Sequence, residues 1–435
     1  MRMLLKNGRL VDPSQGIDDI RDILIVDGKI AAIATRIDIS ESNNEALKVI
    51  DAQGLIIAPG FIDIHTHLRE PGYEYKETIR TGTEAAVAGG FSAVACMANT
   101  QPVNDNAGIT AFVKRQALTA NLARVYPIAA ITVGLKGAQL TDFSDLMRAG
   151  AVAFSDDGAP LTSSVMMRYA LEYASSLGAT IISHCEDLSL VGNGVANEGF
   201  TATDLGLVGM PTIAEDLMVA REIMLSEYLQ ARVHIAHVSS ARAVRLIREA
   251  KERGVPVSAE ATPHHFTLTE AALVGYDTNC KVNPPLRSSV DVMEVRRGLS
   301  DGTIDCIASD HAPHSANEKD VEFDYAAFGM VGLETVLPLA LQLVGEGVLT
   351  LSQLVERMSC NPANLLGLPG GTLKVGVDAD VTLFDTQRVW QVVKENLISK
   401  SKNTPFVGYQ MRGKAVMTIV GGKIKFQEGT AISPF

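Results

Sequence analysis

Eight short apolar runs rich in β-branched residues, most of them separated by stretches of 3.6-residue periodicity, limit how this 435-residue chain can fold. The runs cover residues 55–64, 92–97, 124–131, 151–154, 180–183, 232–237, 256–260 and 303–308. Amphipathic helical patterns lie between them, clearest at 77–88, 164–175, 214–228 and 241–253, the last closed by Gly254. Strands alternating with helices predict a parallel sheet with crossover connections. Eight such units predict a (β/α)8 barrel, with a doubly wound open sheet as the rival arrangement.

The flanks have another texture. Residues 3–11, 22–26 and 29–33 read as short strands, with Asp27-Gly28 as a hairpin turn, and 379–384, 416–420 and 423–426 repeat the pattern around Gly421-Gly422. Neither flank is long enough to bury a core alone. They are expected to combine as one small β-sandwich made of residues 1–57 plus 367–435, leaving 58–366 to the barrel. With 46% hydrophobic and 20% charged residues the chain can fill a core of that size.

A net charge of −12 without a basic patch argues against a nucleic-acid partner. The five cysteines are scattered and form no Cys-x-x-Cys pair, which suggests neither a thiolate metal cluster nor a disulfide framework. The N-terminal residues lack the apolar core of a leader, and no apolar run approaches the length of a membrane span. The expectation is a cytoplasmic protein with no membrane partner.

Polar residues at the strand ends point to chemistry. The first run ends in Asp63-Ile64-His65-Thr66-His67, and residues two apart in an extended chain share a face, so His65 and His67 can address one metal ion. Alone, His-x-His is a weak signal. The fourth run ends in Ser155-Asp156-Asp157-Gly158, the fifth in His184-Cys185-Glu186-Asp187, the sixth in His237-Val238-Ser239-Ser240, and the eighth in Ser309-Asp310-His311-Ala312-Pro313-His314. Barrel active sites lie at this rim. Six of the nine histidines stand there, more ligands than one tetrahedral ion needs, and two ions are the simplest interpretation.

These motifs make the chain resemble the amidohydrolase superfamily, and within it the type I dihydroorotases. The resemblance runs nearly end to end, through Pro59-Gly60-Phe61-Ile62-Asp63, Leu68-Arg69-Glu70-Pro71-Gly72, Met97-Ala98-Asn99-Thr100, Thr262-Pro263-His264-His265, Val282-Asn283-Pro284-Pro285-Leu286-Arg287, Phe328-Gly329 and Asn361-Pro362-Ala363. It implies two zinc ions per subunit, one on His65, His67 and Asp310, the other on His184 and His237, with Asp157 bridging. Hydantoinases and allantoinases carry a carboxylated lysine as the bridge, whereas no lysine occurs between Ala151 and Ser175 here. Periodicity leaves open whether Asp156 or Asp157 points inward; the family match selects Asp157, with Asp156 as a loop or capping carboxylate.

The implied activity is reversible closure of N-carbamoyl-L-aspartate to (S)-dihydroorotate in pyrimidine (UMP) biosynthesis, by a binuclear-metal hydroxide mechanism with Asp310 as proton shuttle. The implied substrate set is His67, Arg69, Asn99, Asn283, His314, Phe328 and Gly329. Arg69 shares the face of His67 and offers a fork suited to a free carboxylate. Residues 311–329 read as a rim loop able to close over substrate, with Ala327 where many relatives carry proline. His311 is expected beside the site rather than in it, His234 as a core histidine, Cys185 as a packed thiol, and at most one of His264 and His265 in reach of the centre. A homodimer and association with aspartate transcarbamoylase are family expectations. The rival readings are a hydantoinase- or allantoinase-like cyclic amidase and an inactive scaffold homologue for that transcarbamoylase.

Overall fold

The computed structural model describes residues 2–38 and 47–432. Eight parallel strands pair in chain order: Phe61–Thr66, Phe91–Cys96, Arg124–Ala129, Ala153–Phe154, Ile181–Ser183, Val233–Ile235, Val257–Ala261 and Cys306–Ile307. A parallel bridge between Thr66 and His311, with the His67 amide donating to the His311 carbonyl at 2.8 Å, brings the end of the eighth unit back to the first. The alternation therefore resolves as a barrel and not as an open sheet.

Strand alternation divides the apolar residues between two layers. Ile62, Ile64, Ala93, Ala95, Ile128, Ala153, Ile182, Cys306 and Ala308 fill the barrel interior. Their neighbours Phe61, Phe91, Val94, Phe154, Ile181, Val233 and Ile235 pack outward against the helices. Those helices begin where the sequence supplies caps. The Thr78 side chain accepts from the Thr81 amide at the start of Ile79–Ala88, Ser163 caps Ser164–Ser176, and Ser240 caps Ala241–Glu252. In the last, Ala243, Val244, Ile247 and Ala250 recur at helical spacing and are all buried against the barrel.

The two ends of the chain share one eight-stranded mixed sheet. Its central path runs Lys423–Gln427, Gln410–Val420, Val381–Gln391, Ile56–Pro59, Arg2–Asp12, Ile17–Val26 and Lys29–Ala34, and Leu47–Asp51 adds to Arg2–Asp12. Leu5, Leu10, Ile23, Ile57, Val381, Leu383 and Ile419 form its separate core. The strand Leu47–Asp51 has no counterpart among the expected strands; it is short, and none of its apolar residues Leu47, Val49 and Ile50 is fully buried.

Ile56–Pro59 passes through Gly60 directly into the first barrel strand, so the terminal sheet and the barrel share one backbone. The Gly60 amide donates to the Asp380 carbonyl at 2.9 Å, and a side chain at this position would place its Cβ 2.2 Å from Ser92 Oγ and 2.5 Å from Ser92 Cβ. Gly60→Ala is therefore expected to destabilise the fold by about 1–3 kcal/mol through overpacking. Denaturant titration with an unchanged midpoint would show that the junction has slack.

Candidate functional site

The closing seam of the barrel is also where the polar rim residues meet. Asp63, fully buried, accepts from the His65 amide at 3.0 Å and from the Ser309 amide at 3.2 Å, locking the first strand to the eighth. His65 and His67 then lie beside Asp310, with His67 Nε2 3.1 Å and His65 Nε2 3.6 Å from Asp310 Oδ1. Asp157 reaches in from the fourth strand end. Its Oδ1 is 3.5 Å from His65 Nε2, 3.3 Å from His184 Nδ1 and 3.4 Å from His237 Nε2, and its Oδ2 is 3.4 Å from His67 Nε2. Six side chains from five strand ends thus converge, with Asp157 at the middle.

The imidazoles are oriented from behind. His65 Nδ1 donates to Glu260 Oε1, His67 Nδ1 to Asn99 Oδ1 at 2.9 Å, and His184 Nε2 faces Glu186 Oε2 at 3.4 Å. Each of these rings spends one nitrogen on an acceptor and turns the other towards Asp157, the arrangement expected of metal-ligating histidines. His65 Nε2 and Asp157 Oδ1 are buried and have no hydrogen-bond partner among the described residues, which is costly unless something else satisfies them. The sets His65, Asp157, His237 and His65, His67, Asp310, which share His65, each place their donor atoms within 4.8 Å of one another, a donor chemistry suited to a metal ion.

Electrostatics agree. Burial pushes the Asp157 and Asp310 carboxyls up, but the surrounding histidines more than offset this and hold both well below the usual carboxylate range. Burial pulls His184 down, but Asp157 and Glu186 outweigh it and raise this histidine to about 10. A cluster that drives its imidazoles to take up protons is one that draws positive charge. Arg69, His237 and Asp310 have φ of 62°, 31° and 45°, left-handed conformations that concentrate at sites where the surroundings dictate the backbone.

Of the residues expected to bind substrate, Asn99 touches His67 directly and Asn283 reaches the cluster through Glu186. Arg69 is buried, donating from Nε to the Pro313 carbonyl at 3.1 Å and from Nη2 to His314 Nε2 at 3.2 Å. Burial, together with Arg69 and Lys76, holds His314 low, at about 2, so it stays neutral. Asn99 spans His67 and the Asp157 carbonyl, and Asn283 Nδ2 donates to Glu186 Oε1 at 3.1 Å. Phe328 packs its ring 4.5 Å from Lys281 Nζ.

Asp156 turns away from the centre to accept from the Ile131 and Thr132 amides at 2.7 and 3.0 Å, the loop role foreseen for it. His234 is satisfied by Ser258 Oγ at 2.9 Å and Glu260 Oε2 at 3.1 Å, and Cys185 is a buried thiol beside Ser183. His311 accepts from the Gly332 amide through Nδ1 and faces Glu77. His264 and His265 lie in the short helix Pro263–Thr267 rather than a strand. His265 is tied to Thr262 Oγ1 and the Pro284 carbonyl, whereas His264 Nε2 is buried without a partner. Glu260 and Glu186 were not foreseen as functional. The signal for Glu260 was present, a carboxylate at the end of an otherwise apolar strand, 0% exposed in the fold. Ala327, unlike a proline, donates its amide to the Glu318 carbonyl at 2.9 Å, which ties the 311–329 segment to itself.

Residues 54–243 match the Dihydro-orotase-like family. The dihydroorotase of Syntrophus aciditrophicus is 55% identical over 428 residues, covering 98% of this chain and all of that protein. That of a Geobacter species, strain M21, is 54% identical over 429 residues, covering 99% and 100%. Among solved structures, the L-hydantoinase (dihydropyrimidinase) of Arthrobacter aurescens superposes with a TM-score of 0.88 at 27% identity, over 99% of this chain and 97% of that one. The dihydropyrimidinase of Brevibacillus agri shares the fold, with a TM-score of 0.84 at 24% identity over 98% and 95%.

Behind the sixth strand end a buried network fixes the backbone that carries His237. Arg287 donates to Ser239 Oγ at 3.0 Å, Asn197 Oδ1 at 2.9 Å and Glu215 Oε2 at 3.1 Å, and Glu215 Oε1 accepts from the Ser239 and Ser240 amides at 2.9 and 3.1 Å. Removing one buried partner strands the other charge. Glu215→Ala is expected to cost about 3–5 kcal/mol of stability, and Glu215→Leu with Arg287→Met to cost less than either single change. A double-mutant cycle showing simple additivity would refute the coupling.

Proposed function

Because this chain belongs to the dihydroorotase family and so is a cyclic amidase of pyrimidine biosynthesis, we propose that its rim cluster holds two divalent cations, zinc by preference. The observation that carries the reading is the convergence of six buried ligand side chains on unpartnered His65 Nε2 and Asp157 Oδ1. His65, His67 and Asp310 would hold one ion and His184 and His237 the other, with Asp157 between them. When bound, such ions polarise an amide carbonyl and lower the pKa of water.

The chain's own residues supply the rest. In ring closure the ureido nitrogen of N-carbamoyl-L-aspartate attacks the side-chain carboxylate carbon. Asp310, ionised in this setting, accepts the N–H proton and passes it to the departing oxygen, which takes a second proton from solvent and leaves as water. Hydrolysis of dihydroorotate runs the same transfer backwards. Arg69, backed by His314, binds the free α-carboxylate. Asn99 and Asn283 orient the ureido group, and Phe328 with the Gly329 backbone lines the ring.

A hydantoinase-like activity is the nearest competing reading, given the shared fold. The absence of a lysine at the fourth strand end and the Arg69–His314 pair favour a substrate with a free carboxylate. The occupied ligand positions speak against an inactive scaffold. The same reading divides the chain into a β module of 1–57 plus 367–435 and a barrel of 58–366. It also carries a homodimer, association with aspartate transcarbamoylase and a cytoplasmic location, the last supported by five buried, unbridged cysteines. No helix among the described residues is long and apolar enough to cross a membrane.

Turnover of dihydroorotate should exceed that of hydantoin or allantoin, and Asp310→Asn should lower kcat by about 10²–10⁴-fold. Arg69→Met should raise KM for dihydroorotate by about tenfold or more, the loss of charged hydrogen bonds. Chelation should abolish the rate, with zinc restoring it. A chelated, metal-free protein retaining full rate would overturn the cation assignment.

A further inference from the structure

Two buried lysines that the reaction does not use lie beneath the residues proposed to contact substrate. Lys319 ends the short helix Ala316–Lys319 and is 5% exposed. Its Nζ donates to the backbone carbonyls of Ala327 at 2.7 Å, Gly329 at 2.9 Å and Lys281 at 3.4 Å. Three ammonium donors meet three carbonyls. The first two flank Phe328, and the third lies two residues before Asn283, so one side chain ties together two separate stretches of the substrate wall.

Lys281 completes the knot. Its carbonyl also accepts from the Gly329 amide at 2.8 Å, while its own Nζ donates to the Phe323 and Asp324 carbonyls at 2.9 and 3.0 Å beside the Phe328 ring. Asn403 Nδ2 adds a further bond to the Gly329 carbonyl at 3.1 Å. Gly329 has φ 127°, and a Cβ there would lie 2.6 Å from Ala312 Cβ, so the backbone at this point has one narrow path. Burying an ammonium against carbonyls alone is costly, and burial together with Lys281 pulls Lys319 down to about 7. An apolar side chain would fill this space more cheaply but would take from the Ala327 carbonyl the donor it has here, and would leave the two segments joined by the Gly329 amide to Lys281 carbonyl bond without the ammonium that gathers them.

We propose that Lys319 is a positioning residue whose ammonium presets the Phe328-Gly329 backbone and the Asn283 segment as a single wall for the substrate ring. The inference rests on the substrate contacts assigned above. With the wall preset, ordering of these segments is met during folding and not at each binding event. Its loss should therefore weaken binding far more than it slows the chemistry at saturation.

The test compares Lys319→Met, which keeps length without donors, and Lys319→Gln, which keeps two N–H groups, in dihydroorotate hydrolysis by zinc-loaded full-length protein. The Met variant should raise KM by about tenfold or more, with kcat within about twofold and bound metal unchanged. The Gln variant should show a smaller rise in KM. Hydrogen exchange should show the Gly329 amide opening faster in both. Unchanged KM in a folded variant, or a fall in kcat at constant KM, would overturn the proposal. If the Met variant does not fold, the Gln variant decides by the same split. A wild-type protein inactive on dihydroorotate would instead refute the functional reading itself.

Discussion

The seam between the first and eighth barrel strands governs the site. There the His67 amide bonds to the His311 carbonyl, and the Asp63 carboxylate clasps the Ser309 amide. Those contacts close the sheet, and closure alone places Asp310, at one end of the barrel sequence, against His65 and His67 at the other. An open sheet with the same strands and helices would leave the first and last units on opposite edges. Burying Asp63 raises its carboxyl to about 7, so the clasp is made at an electrostatic cost that the amide donors partly offset.

Around this seam charge is sorted in space. Asp157, Asp310, Glu260 and Glu186 gather on the imidazole side, while Arg69, Lys76, Lys281 and Lys319 lie on the side where the rim segment folds over. In a chain of net charge −12 an anionic substrate meets overall repulsion, and the local basic group supplies the countervailing field. Lys76 holds the rim segment, pairing with Glu318 at 2.6 Å and approaching His314 Nδ1 at 3.4 Å.

The barrel was legible because the strands are short apolar runs and the stretches between them carry helical periodicity. The cluster was legible because histidines are few and gather at the strand ends. What the sequence hid is what depends on distant partners. Glu260 reads as one polar residue in a strand until the fold sets it between His65 and His234. Lys319 reads as a solvated charge in a polar loop, because its partners are carbonyls, which leave no side-chain signature. Leu47–Asp51 escaped notice because it is short and is held by backbone pairing with Arg2–Asp12, which leaves no side-chain signature. Asp156 and Asp157 are neighbours with opposite fates, and only the position of the Ile131–Thr132 amides decides between them.

The shared backbone at Gly60 has a consequence for biosynthesis. Ile56–Pro59 pairs on one side with Arg2–Asp12 and on the other with Val381–Gln391, which leaves the ribosome long after it. Until then the strand that launches the barrel keeps one edge open, and joining it to its late partner carries the entropy of closing a very long loop. A nascent chain of this design is exposed to edge-to-edge association throughout that interval. Its yield in the cell should therefore be governed by elongation speed and chaperone supply as much as by the stability of the finished enzyme.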